Sequence, residues 1–163
     1  MSQSRRLLWG DDEGPERFLY AAMRLQRDGW SITWASSVAA AAELLRSEPF
    51  DALVLDQMMP LTSRGGPQEL WSGCTMFRWL QGAPLAIGTP AHITPPEFAP
   101  LPANRDLPVA IVSAYRHDDV ADAIEEARSP AQPLAWIGKP LNLDLLSRAI
   151  RPADRPRDDD DAG

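Results

Sequence analysis

Three carboxylates, a hydroxyl and an ammonium each stand at the end of a short apolar run. Asp11 and Asp12 follow Leu7-Leu8-Trp9-Gly10, and Asp56 follows Leu53-Val54-Leu55. Ser113 closes the run from Val109, and Lys139 follows the run Leu134 to Gly138. Such runs read as strands covered on both faces, and the carboxyl ends of parallel strands are where α/β sheets bind ligands. Carboxylates gathered on one rim repel one another unless a cation sits among them. Hard oxygen ligands suit Mg²⁺, which keeps several waters and favours phosphate-bearing partners. A hydroxyl and a lysine on the same rim complete a cradle for a phosphoryl group, so the chemistry within reach is phosphorylation of an aspartate.

Lys139 stands out within this set. The chain has 16 lysines and arginines, and Lys139 is the one lysine. Lysine is a compact point charge on a flexible stem, whereas arginine is a broad planar fork. A tight anionic pocket would need the smaller cation. The competing reading is a composition bias with one surface lysine left over; the acidic strand ends weigh against it.

The elements that must position these residues alternate along the chain. After the first strand, Gly14-Pro15-Glu16 opens a helix with Phe18, Leu19, Ala22, Met23 and Leu25 as its apolar face, stopping at Gly29. Ile32 to Ala35 is a second strand, and Ser36 or Ser37 caps a helix that ends before Pro49. Asp51 to Asp56 and Val109 to Ser113 are the third and fourth strands. A helix from about Asp118 to Arg128, a strand from Leu134 to Gly138 and a helix from Leu143 to Arg151 complete the pattern. This order predicts an α/β fold with a parallel sheet and right-handed crossovers. Residues 57–108 are irregular: a helix near Gly73 to Gln81 lies between a Gly/Pro/Ser-rich stretch and Ala83 to Pro108. That second stretch holds seven of the 16 prolines, which predicts a long surface loop.

Composition narrows the function classes. A length of 163 residues suits one domain with its own core. The net charge of −7 argues against direct nucleic-acid binding. The single cysteine, Cys74, excludes an internal disulfide and suits a reducing compartment, so a cytoplasmic location is expected. No apolar run is long enough for a membrane span, and the N-terminus lacks a signal-peptide pattern. Neither glycine-rich nucleotide-binding motif occurs.

The residue set resembles the receiver domain of bacterial two-component response regulators. The matching residues are the Asp11-Asp12 pair, Asp56 in Leu-Asp-Gln-Met-Met-Pro, Ser113-Ala114 and Lys139-Pro140. The resemblance implies a flavodoxin-like, doubly wound sheet of five parallel strands, (βα)5, with helices on both faces. It implies a receiver domain over residues 1–152 with insertions at about 61–72 and 83–107, while the acidic run from Asp158 to Asp161 predicts a disordered acidic tail over 153–163. By the same resemblance Asp56 is the phosphoacceptor, served by a histidine kinase or phosphotransfer protein. Asp11, Asp12, Asp56 and the Met58 backbone carbonyl hold Mg²⁺. Lys139 pairs with Asp56, Ser113 and Trp136 act as the switch pair, and Pro140 follows a cis bond; a plain core or interface tryptophan is the competing reading of Trp136. Such a protein is no enzyme beyond self-catalysed phosphorylation and dephosphorylation. Its output is phosphorylation-controlled binding to a downstream protein, with neither nucleic acid nor membrane as a direct partner. Thirteen mostly polar residues follow Ile150, so no output domain is expected there.

Some features depart from the family pattern. Pro60 and Gly73 are 13 residues apart, where the family's Met-Pro-x-x-x-Gly spacing allows four. The added length around this helix is expected beside the active-site rim, as a partner surface or lid, with a passive insertion as the competing reading. Met58 and Tyr115 are bulky at positions that govern water access in the family, which predicts a long-lived phosphoryl group. His117-Asp118-Asp119 reads as a helix start rather than a metal cluster, His92 as solvated, and Cys74 as a small core residue with Trp71 and Trp79 beside it. Two other classes compete: a phosphorylation-independent receiver-like adaptor, and a phosphatase of the haloacid dehalogenase type. The latter needs a second acid two residues after its nucleophile, where this chain has Met58.

Overall fold

The computed structural model describes residues 4–62, 68–69, 72–82, 99–115, 118 and 134–151. In chain order the elements are β1 (Arg5–Gly10), α1 (Gly14–Arg17), α2 (Leu19–Arg27), β2 (Trp30–Ala35), α3 (Val38–Ser47) and β3 (Ala52–Asp56). They continue with β4 (Met59–Pro60), β5 (Gln68–Glu69), α4 (Ser72–Leu80), a 3-10 turn (Pro102–Asn104), β6 (Val109–Ser113), β7 (Leu134–Gly138) and α5 (Leu143–Ala149). Five strands form one parallel sheet in the order β2-β1-β3-β6-β7. This is the flavodoxin-like order, which reverses direction between β1 and β3.

Side-chain alternation divides the core between the two faces of the sheet. Leu8, Leu53, Leu55, Val109 and Ile111 pack with Val38, Leu45, Phe77 and Leu80 from α3 and α4. Leu7, Trp9, Val54, Ala110 and Val112 pack with Phe18 and Leu25 on one side of the chain and with Leu146 and Ile150 at the other end. Every residue of β3 and β6 is buried, as the continuous apolar runs require of central strands. At roughly 2 kcal/mol for each large apolar side chain removed from water, these two layers are the main force holding the sheet rigid.

Side-chain caps begin two of the described helices. Ser37 caps α3 by accepting from Ala40 N–H at 3.1 Å, and Asn142 caps α5 by accepting from Leu145 N–H at 3.1 Å. The single helix expected from Gly14 to Gly29 is broken instead at Phe18, which leaves helical geometry at φ −110° and ψ 25°. The reason is packing: Phe18 turns inward to meet Trp9 at 5.1 Å between ring centroids, and Trp9 in turn stacks on Trp34 at 4.8 Å.

Two expectations for residues 57–108 need correction. The Gly/Pro/Ser-rich stretch is flanked by an antiparallel pair, β4 with β5, and the Leu61 carbonyl accepts from Ala39 N–H at 3.0 Å at the start of α3. The second stretch is not wholly a surface loop. Asn104 is fully buried, accepts from Phe50 N–H at 2.9 Å, and donates to the carbonyls of Leu45 and Glu48 at 2.8 and 2.7 Å. Leu107 is buried beside it. These contacts are at the C-terminal end of α3 and the amino ends of β3 and β6, opposite the pole that carries Asp56. The topology requires this: a helix-to-strand connection returns to the amino edge of a parallel sheet. Residues 99–107 therefore do not lie beside the acidic rim. Readings placed on His92, Trp71, His117, Asp119, the helix to Arg128 and the tail at 153–163 lie outside the described residues.

Candidate functional site

The carboxyl ends of β1 and β3 meet at the reversal of strand order, with Gly10 in register with Leu55, and so Asp11, Asp12 and Asp56 converge. Each offers a carboxylate oxygen, and these oxygens lie within 4.8 Å of one another. Among the described residues no other acidic, histidine or cysteine trio does this. Asp11 and Asp56 are 1% and 5% exposed, while Asp12 is half-buried at the mouth.

Backbone donors orient the two buried carboxylates. Asp11 Oδ1 accepts from Glu13 N–H at 2.9 Å, and Asp56 Oδ1 from Met58 N–H at 3.1 Å. Lys139 reaches in from the end of β7: its Nζ is 3.1 Å from Asp56 Oδ2 and 3.8 Å from Asp11 Oδ2. Asp11 Oδ2 has no hydrogen bond although it is fully buried. Burial pushes the Asp11 carboxyl up from 3.8 to about 6, with repulsion from Asp56 adding to it and the Glu13 amide and Lys139 opposing it. Burial also raises Asp56, against the Met58 amide and Lys139. One ammonium among three carboxylates leaves net negative charge in a partly dry pocket. That donor set fits a hard divalent cation, and Asp11 Oδ2, which has a 3.8 Å ion pair with Lys139 but no hydrogen bond, is where an added cation would relieve most.

β6 and β7 carry the remaining groups to the same rim. Asp56 pairs with Val112 in register, and Ser113 pairs with Gly138. Ser113 is 1% exposed; its Oγ accepts from Tyr115 N–H at 3.0 Å, and its carbonyl accepts from Lys139 N–H at 2.7 Å. A hydroxyl so held can still donate its own hydrogen to an incoming anion. The Lys139-Pro140 bond is cis. Trp136 is half-buried on β7 and packs against the core layer shared with α3 and α4. Met58 is half-buried and Tyr115 is 40% exposed. Cys74 is buried in the core, and burial raises its thiol to about 11, which makes it a packing residue and a poor nucleophile.

Sequence reasoning missed Gln57. It is fully buried directly after Asp56, and its Oε1 accepts from Cys74 N–H at 3.1 Å. A buried amide in a β-to-α connection has no distinctive spacing, so nothing in the sequence flagged it. Gly73 is the second signal: an added Cβ there would stand 2.8 Å from Gln57 Oε1 and 3.0 Å from the Asp56 carbonyl oxygen.

No family model and no curated protein matches the sequence. Solved structures do match. The chain is similar to the receiver domain of a sensor histidine kinase from Pseudomonas aeruginosa, with TM-score 0.60, 15% identity, and 90% of this chain and 94% of that one covered. That structure holds a magnesium ion coordinated in its active-site cleft. A Francisella response regulator receiver domain matches with TM-score 0.59, 18% identity and coverage of 90% and 93%. The chemotaxis response regulator CheY4 of Vibrio cholerae matches with TM-score 0.58, 14% identity and coverage of 88% and 93%. The chain thus has the fold of response regulator receiver domains, over about nine-tenths of its length.

Proposed function

We propose that this chain is a receiver that accepts a phosphoryl group on Asp56 from a phosphohistidine of a histidine kinase or phosphotransfer protein. The reading is carried by one observation: Asp11, Asp12 and Asp56 offer oxygens within 4.8 Å of one another, with Lys139 Nζ 3.1 Å from Asp56 Oδ2. In this reading an oxygen of Asp56 attacks phosphorus, the new O–P bond forms as the P–N bond to the donor imidazole breaks, and that nitrogen leaves with the bonding pair. Lys139 moves from the carboxylate to the phosphoryl oxygens, and Ser113 donates its hydroxyl hydrogen to one of them. Asp11, Asp12, Asp56 and the Met58 carbonyl would hold Mg²⁺, which supplies neutralisation of charge on the transferred group. The magnesium in the Pseudomonas aeruginosa domain supports this assignment.

The boundaries of the receiver belong to the same proposal: residues 1–152, with added segments at about 61–72 and 83–107. Its output is binding to a downstream protein through a surface that includes Trp136, and its setting is cytoplasmic. Beryllofluoride mimics an aspartyl phosphate, so titration with Mg²⁺ and beryllofluoride, followed by tryptophan fluorescence, tests the reading. A saturable change that requires both reagents and disappears in Asp56→Asn is expected. Full folding with no response would instead identify a phosphorylation-independent adaptor.

A further inference from the structure

Residues 56–59 are joined to the first turn of α4 at two points. Gln57 N–H donates to the Val112 carbonyl at 2.9 Å, which extends the β3–β6 ladder one residue past Asp56. Its side chain then crosses to α4, where Oε1 takes the N–H of Cys74, one of the first-turn donors that a helix cannot satisfy internally. Trp71, the residue before α4 in the chain, has no side-chain oxygen with which to cap it. At the second point Ser72 Oγ donates to the Met59 carbonyl at 2.7 Å. Gly73 lets these backbones touch, since a Cβ there would collide with both Gln57 Oε1 and the Asp56 carbonyl. Met58 lies between the two ties, and its N–H holds Asp56 Oδ1.

We infer that Gln57 is a positioning residue that couples the chemical state of Asp56 to α4. The inference rests on the phosphoacceptor reading above. A group added to Asp56 competes for the carboxylate oxygen held by Met58, and residues 57–59 cannot shift without carrying Gln57 and the first turn of α4 with them. Gln57 makes no contact with the transferred group; it acts through the backbone on either side.

Amide hydrogen exchange at Cys74 and Thr75, with and without Mg²⁺ and beryllofluoride, tests this. In the wild type, exchange at these amides is expected to change on addition of both reagents. Gln57→Met keeps the shape and removes the acceptor. It should speed Cys74 exchange about tenfold, as for one lost hydrogen bond, and abolish the ligand-dependent change in α4. Asp56 should still gain one phosphoryl group by intact mass. Gln57→Glu restores an acceptor and should restore the response, an outcome that a merely space-filling role would not produce. Gly73→Ala, which displaces Gln57 while leaving it in the chain, should behave like Gln57→Met and serves if that variant does not fold. An α4 response in Gln57→Met or Gly73→Ala equal to the wild type overturns the inference, as does a wild-type α4 that ignores a ligand the protein demonstrably binds. Absence of any beryllofluoride binding overturns the phosphoacceptor reading and this inference together.

Discussion

Replacing Asp11 by asparagine should make the metal-free protein more stable at neutral pH. Burial and the neighbouring Asp56 raise the Asp11 carboxyl from 3.8 to about 6 in the folded chain. A folded-state value above the unfolded one means that the native state binds the proton more tightly. The strain is therefore absent below about pH 4, grows between the unfolded and the folded value, and is fully present above the folded value of about 6. The difference of roughly 2 pH units corresponds to a ceiling of about 3 kcal/mol at pH 7.5. Lys139 at 3.8 Å from Asp11 Oδ2 loses a partner in the variant, and water at the mouth screens part of the charge, so a net gain of about 1–2 kcal/mol is expected. For a domain of this size that is a rise in Tm of roughly 3–8 °C. The assay is urea unfolding of wild type and variant in chelator at pH 7.5 and again at pH 4. The stability difference should shrink towards zero at the lower pH. Adding Mg²⁺ at neutral pH should reverse the ranking, because a ligand at 100 times its Kd stabilises by about 2.7 kcal/mol and the variant has lost a ligand. A variant less stable than wild type without metal, or a gap that does not narrow on acidification, would refute the reasoning.

Other expectations follow from the same geometry. Lys139→Met leaves the Asp56 carboxylate without its ammonium and should cost about 2 kcal/mol or more in urea unfolding at pH 7.5, together with a large loss in the rate of phosphoryl uptake. Lys139→Arg should keep much of the stability but not the rate, because the guanidinium fork cannot follow the phosphoryl oxygens as an ammonium does; equal uptake rates would contradict this. Asn104→Ala strands an amide and two carbonyls at the far pole and should cost about 2–4 kcal/mol by chemical denaturation, with uptake at Asp56 unchanged. Bulky Met58 and Tyr115, two residues after Asp56 and Ser113, should slow hydrolysis, so the phosphoryl group should outlast minutes in purified protein; a lifetime of seconds argues otherwise.

Much of the site was legible because strand ends announce themselves. An apolar run long enough for a central strand that stops at Asp, Ser or Lys places that side chain at the sheet's carboxyl edge, and the parallel register aligns the edges. The parallel sheet followed from the same runs, and its flavodoxin-like strand order from the resemblance to receiver domains. What the sequence could not yield depended on contacts between distant segments. Phe18 has good helical spacing, yet the pull of Trp9 breaks the helix there. Asn104 looks like a polar loop residue until Phe50, Leu45 and Glu48 surround it. The expectation that both added segments flank the acidic rim failed for residues 99–107 on topology: a connection that leaves a helix and enters a parallel strand belongs to the opposite edge. Gln57 escaped notice because a buried amide gains its meaning only from Cys74 and Gly73 across the fold.

The most direct test of the central claim is intact mass after incubation with a small-molecule phosphodonor and Mg²⁺. The account predicts a gain of one phosphoryl group in the wild type, none in Asp56→Asn, and none in wild type treated with chelator. A gain that persists in Asp56→Asn, or a folded wild type that stays unmodified with saturating donor and metal, would contradict it.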